Sequence, residues 1–233
     1  MGIVAIIPAG GIGKRMKSQK PKQFLTLNDE PIILITIRAL AETGLVSKII
    51  IPTIDLVYTK KIIKMAHADL DIHVCKGGKT RQESIHNGLD YIKETDWKPE
   101  YILIHDAVRA LVRKRTIERV IAKAKETGAA IVARPITDTI KLAYKDGDND
   151  LIKKNVSRDH MWSTQTPQVF KADLLIEAYN KARQDHFTGT DSASLVERLN
   201  HPICLIEGYP SNIKITNPED LDLAKLYLDS RKD

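Results

Sequence analysis

A short apolar run near the N-terminus breaks into a glycine-rich, basic loop, and this junction constrains the fold more than any other stretch of the chain. Residues 3–7 are mostly β-branched and do not alternate with polar residues, which is typical of a buried strand in a parallel sheet. The loop has three glycines, which allow positive φ and let backbone N–H groups approach an anion: Gly10, Gly11 and Gly13. Basic side chains that can donate to phosphate oxygens follow them: Lys14, Arg15, Lys20 and Lys22. The pattern predicts a loop that wraps a nucleoside triphosphate.

Two more familiar glycine loops are excluded. A Walker A loop requires glycine at position 8 and Ser or Thr at position 15, where this chain has Pro8 and Arg15. A dinucleotide-binding fingerprint requires a third glycine at position 16, which is Met16. The simplest alternative is a tight strand-to-helix turn with solvated lysines. Three glycines combined with the basic run favour the phosphate-binding loop over that turn.

Composition limits the class of protein. With 233 residues and 42% hydrophobic content, the chain can bury the core of a single domain, and it contains no internal repeat or linker. The net charge of +6 attracts phosphates, but it is spread along the chain and aromatic residues make up only 5%, so we expect no nucleic-acid binding. Cys75 and Cys204 lack metal-ligand spacing, which favours a reducing compartment. The N-terminal apolar run is too short to span a membrane, and a cytoplasmic protein is expected.

Strand and helix patterns alternate along most of the chain. Apolar runs that predict strands occupy residues 3–7, 48–51, 72–75, 101–104, 129–133, 203–206 and 213–215. Patterns that predict helices occupy residues 31–42, 56–68, 80–92, 116–126, 172–183, 192–199 and 218–231. This alternation predicts an α/β fold with a doubly wound, mostly parallel sheet and right-handed crossovers.

Residues 137–166 interrupt the alternation. Polar and apolar residues alternate there on both sides of an Asp146-Gly147-Asp148 turn, which predicts a two-stranded arm protruding from the sheet. Because an isolated two-stranded hairpin is marginal in water, we expect the arm to pack on a second subunit.

Polar residues collect where the predicted strands end, which is where open parallel sheets bind ligands. Asp106 follows the fourth strand and could orient a metal ion or ribose hydroxyls, although a helix cap is its simpler role. His105 has no serine or cysteine nucleophile to accompany it and is interpreted as structural. Lys214 lies in a short apolar run, where it could face a ligand or protect a sheet edge.

Seven short motifs occur in order over nearly the whole chain, and as a set they resemble the 2-C-methyl-D-erythritol 4-phosphate cytidylyltransferases of the non-mevalonate isoprenoid pathway. The motifs occupy residues 9–16, 21–23, 77–84, 105–109, 164–168, 190–194 and 211–216. The resemblance implies a Rossmann-like nucleotidyltransferase domain spanning residues 1–233, with 137–166 as a dimerisation arm that completes the neighbour's site. It also implies transfer of CMP from CTP to a sugar-alcohol phosphate, with Mg²⁺ held mainly by the CTP phosphates rather than by protein ligands.

The resemblance further implies roles for individual residues. The nucleotide-binding set is Ala9, Gly10, Gly11, Gly13, Gly78, Ser84, Asp106 and Ala107. The residues around the phosphates, which we expect to be catalytic, are Arg15, Lys22 and Lys214. The set around the acceptor is Arg109, Thr139, Arg158, Thr166, Thr190 and Lys214.

Two departures from the family pattern keep an alternative open. Val108 and Ala110 stand where the family usually has alanine and proline, and the resulting motif also resembles the sister ribitol 5-phosphate cytidylyltransferases. The run over residues 190–197 resembles the methylerythritol enzymes more closely, so the methylerythritol family is the first hypothesis and the ribitol family the alternative. A non-catalytic nucleotide-binding module is the alternative from a different functional class.

Overall fold

The computed structural model describes residues 2–11, 14–16, 20–66 and 70–230. The strands are β1 (Ile3–Ile6), β2 (Thr26–Leu27), β3 (Glu30–Pro31), β4 (Val46–Thr53), β5 (Asp71–Lys76), β6 (Tyr101–Ile104), β7 (Ala129–Pro135), β8 (Ile140–Asp146), β9 (Asn149–Val156), β10 (Trp162–Lys171) and β11 (Cys204–Glu207). The helices are α1 (Ile32–Ala41), α2 (Leu56–Ile63), α3 (Arg81–Lys93), α4 (Lys114–Thr127), α5 (Ala172–Gln184), α6 (Ser192–Glu197) and α7 (Pro218–Asp229), with 3₁₀ turns at Lys14–Met16 and Lys22–Phe24. None of the helices in these ranges is long and apolar enough to cross a membrane.

A seven-stranded sheet in the order β11-β7-β10-β6-β1-β4-β5 forms the centre of the described chain. β10 runs antiparallel to both of its neighbours, and the other pairings in this sheet are parallel. The prediction of a mostly parallel, doubly wound α/β sheet is confirmed.

Burial on both faces explains why the central strands are continuously apolar. Side chains of β1 alternate between two cores, with Ala5 in the cluster on one face of the sheet and Val4 and Ile6 in the cluster on the other. All four β1 residues and all four β6 residues are buried. Burial of one isoleucine side chain contributes about 1.5–3 kcal/mol to folding stability. The central strands therefore form a stable support for the loops that follow them.

β10 is the main element that the sequence patterns missed. Its sequence is polar in the first half and contains Pro167, which normally argues against a central strand. A bulge accommodates this stretch, because the step from Thr164 to Gln168 lies opposite the shorter step from Ala133 to Ile131 on β7. Residues 162–166, predicted to belong to the arm, therefore belong to the main sheet.

Three smaller predictions about elements are wrong. β4 continues through Pro52 to Thr53 instead of ending before the proline, because β1 has already ended there and the Pro52 carbonyl still accepts from Ala9 N–H at 2.8 Å. Residues 213–215 form no strand. Helix α2 ends at Ile63 in a tight turn rather than continuing to residue 68, which itself lies outside the described residues.

The predicted arm is a separate two-stranded sheet made by β8 and β9. Gly147 has a φ of 58° at its tip, a left-handed conformation that glycine adopts without strain. Most arm residues are exposed, including large apolar side chains: Leu142, Tyr144, Leu151 and Ile152. An exposed ribbon with this composition is a surface suited to a partner.

Candidate active site

A cavity of about 170 Å³ opens where β1, β4, β5 and β6 end. It is lined by Pro8, Ala9, Gly10, Gly11, Lys22, Gln23, Gly78, Lys79, Thr80, Arg81, Ser84, Asp106, Ala107, Val108 and Lys214. Because parallel strands present their carboxyl ends at one edge, loops far apart in the chain converge here. Four cations and one carboxylate in this lining make the cavity suited to a polyanion.

The first glycine loop is held by backbone and side-chain bonds rather than by positive φ. Gly10 and Gly11 do not use the positive φ that glycine allows, whereas Gly13 lies outside the described residues. Gly10 is needed for close approach, because a Cβ there would lie 3.1 Å from Ser84 Oγ. The buried Gln23 donates from Nε2 to the Ala9 carbonyl at 2.6 Å and fixes the loop from beneath.

The second glycine loop packs tightly against the start of α3. Gly78 N–H donates to Ser84 Oγ at 3.0 Å, and that hydroxyl donates to the Thr80 carbonyl at 2.8 Å. A Cβ on Gly78 would lie only 2.9 Å from the backbone carbon of Glu83. The Gly78 N–H is thus occupied by Ser84, whereas the Gly78 carbonyl makes a longer contact of 3.4 Å to the same hydroxyl and can accept from a ligand.

Asp106 is the electrostatic centre of the site. Its carboxylate lies 2.9 Å from Arg81 Nε, 3.0 Å from Lys214 Nζ and 3.4 Å from Arg109 Nε. Burial alone would raise the pKa of Asp106, but Arg81, Lys214 and Arg109 outweigh it and hold that pKa well below its usual range. One permanently charged carboxylate thus gathers cations from three separate segments of the chain.

Lys22 stands beside this cluster. Its Nζ donates to the Ile215 carbonyl at 3.2 Å. Burial lowers the pKa of Lys22, and the neighbouring cations Lys214 and Arg15 lower it further against the opposing effect of Asp106. Lys214 and Arg15 are therefore both close enough to Lys22 to repel its ammonium, and an anionic ligand would relieve this repulsion.

The arrangement matches a known family over nearly its whole length. A family model for 2-C-methyl-D-erythritol 4-phosphate cytidylyltransferase (IspD) matches residues 3–230. This chain belongs to that family. An enzyme of that name from Syntrophus aciditrophicus is 42% identical over 229 residues, covering 97% of this chain and 95% of the relative. One from Bacillus cytotoxicus is 41% identical over 225 residues, covering 96% of each.

Solved structures of enzymes from this family have the same fold as this chain. The 4-diphosphocytidyl-2C-methyl-D-erythritol synthase of Anaerococcus prevotii has a TM-score of 0.83 at 29% identity, covering 98% of this chain and 96% of that one. The family enzyme from Francisella tularensis has a TM-score of 0.81 at 27% identity, covering 97% of this chain and 100% of that one. The predictions of the family, the Rossmann-like fold and the enzyme class are confirmed. The two curated relatives named above carry the methylerythritol name rather than that of the ribitol sister family.

Most nucleotide and phosphate residues predicted from the family motifs meet in the cavity. The predicted residues that line it are Ala9, Gly10, Gly11, Lys22, Gly78, Ser84, Asp106, Ala107 and Lys214. Arg15 is exposed and near enough to Lys22 to affect its pKa.

The predicted acceptor residues are more dispersed. Arg109 reaches the cavity only through Asp106. Thr166 is 3% exposed, and its hydroxyl is engaged by His105 and by the Asp106 N–H. Thr139, Arg158 and Thr190 are exposed and do not line the cavity, and Arg158 donates to the Thr137 carbonyl within its own arm. Contact of these residues with an acceptor stays a prediction.

Two lining residues with clear functions were not predicted. Arg81 makes the shortest ion pair to Asp106, and Gln23 makes the bond that anchors the first loop. Both lie inside motifs that identified the family. A basic residue four positions after Gly77, on the first turn of a helix, was the available signal for Arg81. The signal for Gln23 was weaker, since a glutamine beside Lys22 does not reveal that it is buried.

The described residues contain no group of three His, Cys, Asp or Glu side chains placed to hold a metal ion. Asp106, the carboxylate in the cavity lining, is already paired with three cations. A magnesium ion at this site would therefore depend on ligand phosphates and waters, which it prefers to an all-protein cage.

Proposed function

We propose that this protein transfers the CMP group of CTP to 2-C-methyl-D-erythritol 4-phosphate and releases pyrophosphate, in the non-mevalonate synthesis of isoprenoid precursors. The observation that carries the proposal is the convergence of both glycine loops, Lys22, Asp106 and Lys214 on one cavity. The names of the family's relatives supply the donor and the acceptor.

The chemistry fits a site without a protein nucleophile. The acceptor phosphate is largely dianionic near neutral pH, since its second pKa is about 6. One of its oxygens attacks the α-phosphorus of CTP, a new P–O bond forms, and the bond to the β-phosphate oxygen breaks so that pyrophosphate leaves with the electron pair. The protein has to bring two polyanions together and stabilise charge on the α-phosphate and the leaving group.

The basic residues are suited to those two tasks. Lys22 and Arg15 follow the loop that approaches the phosphates, and we assign them to the triphosphate and the developing charge of pyrophosphate. Lys214 reaches the cavity from the opposite end of the sequence and is assigned to the phosphates on both sides of the reacting centre. Ser84 and the Gly78 carbonyl are assigned to cytosine, and Asp106 with Ala107 to ribose.

The metal and the compartment belong to the same proposal. Mg²⁺ bound to the CTP phosphates would neutralise part of their charge when present. Lys22, Lys214 and Arg15 act on the same triphosphate without supplying metal ligands. Both cysteines are free, in agreement with a reducing cytoplasm.

We assign the acceptor site to two subunits of a homodimer. Thr139 and Arg158 flank the two-stranded arm and do not line the cavity of their own chain. The arm exposes Leu142, Tyr144 and Ile152, which a partner surface would cover. In this arrangement the arm brings Thr139 and Arg158 to the neighbour's Arg109 and Thr190.

The experiment is an acceptor comparison. The protein is incubated with CTP, Mg²⁺ and either 2-C-methyl-D-erythritol 4-phosphate or ribitol 5-phosphate, and pyrophosphate and the cytidylylated product are both quantified. We expect turnover with the first acceptor and at least about 100-fold lower kcat/KM with the second. Preference for ribitol 5-phosphate would replace the proposed acceptor. CTP binding without product from either acceptor would leave only a nucleotide-binding module.

A further inference from the structure

The ring of His105 lies fully buried directly behind the Asp106 cluster, at the end of β6. Its Nδ1 atom is 2.9 Å from Thr166 Oγ1, and its Nε2 atom is 3.2 Å from the Arg109 carbonyl oxygen. Both ring nitrogens are thus engaged, by groups on different segments of the chain. A backbone hydrogen bond closes the turn over residues 106–109, since Arg109 N–H donates to the Asp106 carbonyl at 3.1 Å.

These contacts determine where the hydrogens lie. The Arg109 carbonyl can only accept, so Nε2 must carry the ring hydrogen. In the neutral ring Nδ1 is then an acceptor, and the Thr166 hydroxyl must donate to it. The same hydroxyl oxygen accepts from Asp106 N–H at 3.1 Å. The result is one directed chain from the Asp106 backbone through Thr166 and the imidazole to Arg109.

Burial keeps the ring neutral. Burial lowers the pKa of His105 to about 4. The Asp106 charge and the hydrogen bond to the Arg109 carbonyl oppose this shift, and the charges of Arg109 and Arg81 reinforce it. With both nitrogens bonded and the ring absent from the cavity lining, His105 has no free lone pair for proton transfer.

Thr166 joins this chain of bonds from the bulge in β10. β10 pairs with β6 from Gln168 onwards, opposite Ile104, so Thr166 lies just beyond the end of β6. Within this bulged segment the Thr166 hydroxyl contacts His105 Nδ1 and the Asp106 N–H. Bulges beside active sites commonly redirect a side chain in this way.

We propose that His105 is a positioning residue for the transfer reaction. Its neutral ring acts as a spacer that fixes the Asp106 backbone through Thr166 and the Arg109 backbone directly. This inference rests on the proposed function, because Asp106 is assigned there to the ribose of CTP and Arg109 to the acceptor site. His105 therefore sets the distance between the nucleotide subsite and the acceptor subsite without touching either ligand.

Substitutions that replace only one of the two ring nitrogens separate the hydrogen bond to Thr166 from the hydrogen bond to Arg109. In His105→Asn the amide oxygen replaces Nδ1 and keeps the bond to Thr166, whereas the bond to the Arg109 carbonyl is lost. In His105→Gln the amide N–H replaces Nε2 and keeps the bond to Arg109, whereas the bond to Thr166 is lost. His105→Phe keeps a ring and loses both bonds.

We expect His105→Phe to lower kcat by about 100-fold, because a displacement of about 1 Å in reacting groups has effects of this size. We expect His105→Asn to raise KM mainly for the acceptor and His105→Gln to raise KM mainly for CTP. Melting temperatures and far-UV circular dichroism establish that each variant is folded. Equal effects of the Asn and Gln variants on both KM values, or an unchanged kcat in folded His105→Phe, would overturn the proposal.

A second measurement uses the wild-type protein and does not depend on the variants folding. In ¹⁵N-histidine NMR spectra, one ring is expected to stay neutral with its hydrogen on Nε2 from about pH 5 to about pH 8, with and without CTP. Assignment by comparison with His105→Gln identifies it. A His105 ring that carries its hydrogen on Nδ1, or that titrates near its usual pKa of about 6.5, would overturn the proposal. Failure of the wild type to turn over the acceptor would refute the proposed function and leave this tautomer result unchanged.

Discussion

The Nζ atom of Lys214 lies 3.0 Å from Oδ2 of Asp106, although the two residues are 108 positions apart in the sequence. The Asp106 side chain is 8% exposed, whereas that of Lys214 is 40% exposed, so the carboxylate is fixed and the ammonium is the partner that can move. Arg81 and Arg109 hold the same carboxylate from other directions. A ligand phosphate can therefore attract Lys214 away while two arginines keep Asp106 charged and in place.

Replacement of this carboxylate is expected to destabilise the protein. Asp106→Asn leaves three cations without their common anion, and breaking a buried ion pair in this way costs about 3–5 kcal/mol. We expect the lower part of that range, because Lys214 and Arg81 are partly solvated. The measurement is the urea unfolding free energy of the variant and the wild type at neutral pH.

The pH dependence of the same comparison, between the wild type and Asp106→Asn, provides an internal control. The pKa of Asp106 is depressed in the folded state, so its stabilisation is fully present above the unfolded value of about 3.9 and is lost as pH falls below that value. The stability difference between wild type and Asp106→Asn should be constant from about pH 5 to about pH 7 and shrink below about pH 4. A difference that changes through the neutral range would contradict the assignment to this carboxylate.

Removal of the Lys22 ammonium should impair turnover far more than folding. Lys22 donates one bond to a backbone carbonyl, worth about 1 kcal/mol, whereas loss of one cation from the phosphate site should lower kcat/KM by about 100-fold or more. Steady-state kinetics of Lys22→Ala, together with its melting temperature, tests this. Lys61→Ala is the matched control, because Lys61 is exposed on α2 away from the cavity and should turn over like the wild type.

Gln23 should be important for both stability and CTP affinity. Gln23→Leu replaces the amide with an apolar side chain of similar size and leaves the Ala9 carbonyl without its buried donor, which costs about 1–3 kcal/mol. Because that carbonyl belongs to the loop that we assign to the nucleotide, we expect KM for CTP to rise several-fold. Gln184→Leu, at the exposed end of α5, should change the unfolding free energy by no more than about 0.5 kcal/mol. Equal losses in the two variants would mean that the Ala9 bond has no special role.

The neutral His105 should make the protein sensitive to mild acid. Since burial lowers its pKa to about 4 and the unfolded value is about 6.5, the unfolded state binds one more proton between these values, and stability falls as pH falls through that window. Between pH 7 and pH 5 this contributes a loss of about 2 kcal/mol. His105→Gln should lack that part of the loss. Urea unfolding at both pH values measures it, and parallel curves for the two proteins would contradict it.

Local patterns determined most of the framework because burial on both faces leaves a strong signal. The run at β1 and the run at β6 are continuously apolar, and both were predicted within one residue of their observed ends. The end of α4 was equally readable, since Gly128 adopts a φ of 85° that few other residues tolerate. In these segments the local preference and the tertiary environment agree.

Other features depend on partners that are remote in sequence. The first half of β10 is polar and the strand contains Pro167, so its pairing with β6 and β7 is what makes it a central strand. The triple pairing of Asp106 likewise arises when Arg81 and Lys214 come together, and neither residue is distinctive in its own segment. Family motifs located these residues, whereas their contacts with one another required the structure.

A mixed dimer offers the sharpest test of the shared acceptor site. If the arm of one subunit completes the cavity of the other, Lys22→Ala and Arg158→Ala should complement each other. In a mixed dimer both defects fall on one site and leave the second intact. Differently tagged variants are co-expressed in equal amounts, and the recovered activity is expected to reach about one quarter of the wild type, since half of the dimers are mixed and each has one working site.

The control pairs Lys22→Ala with Lys214→Ala. Both defects lie in the cavity, so each site of a mixed dimer keeps one of them and no activity should return. If the arm instead served the cavity of its own chain, the mixture of Lys22→Ala and Arg158→Ala would also stay inactive, because each chain would carry its own damaged site. Recovery in the first mixture and none in the second therefore requires an arm that crosses between subunits. Activity in neither mixture would reject that arrangement, provided that size-exclusion chromatography shows the tagged mixed dimer.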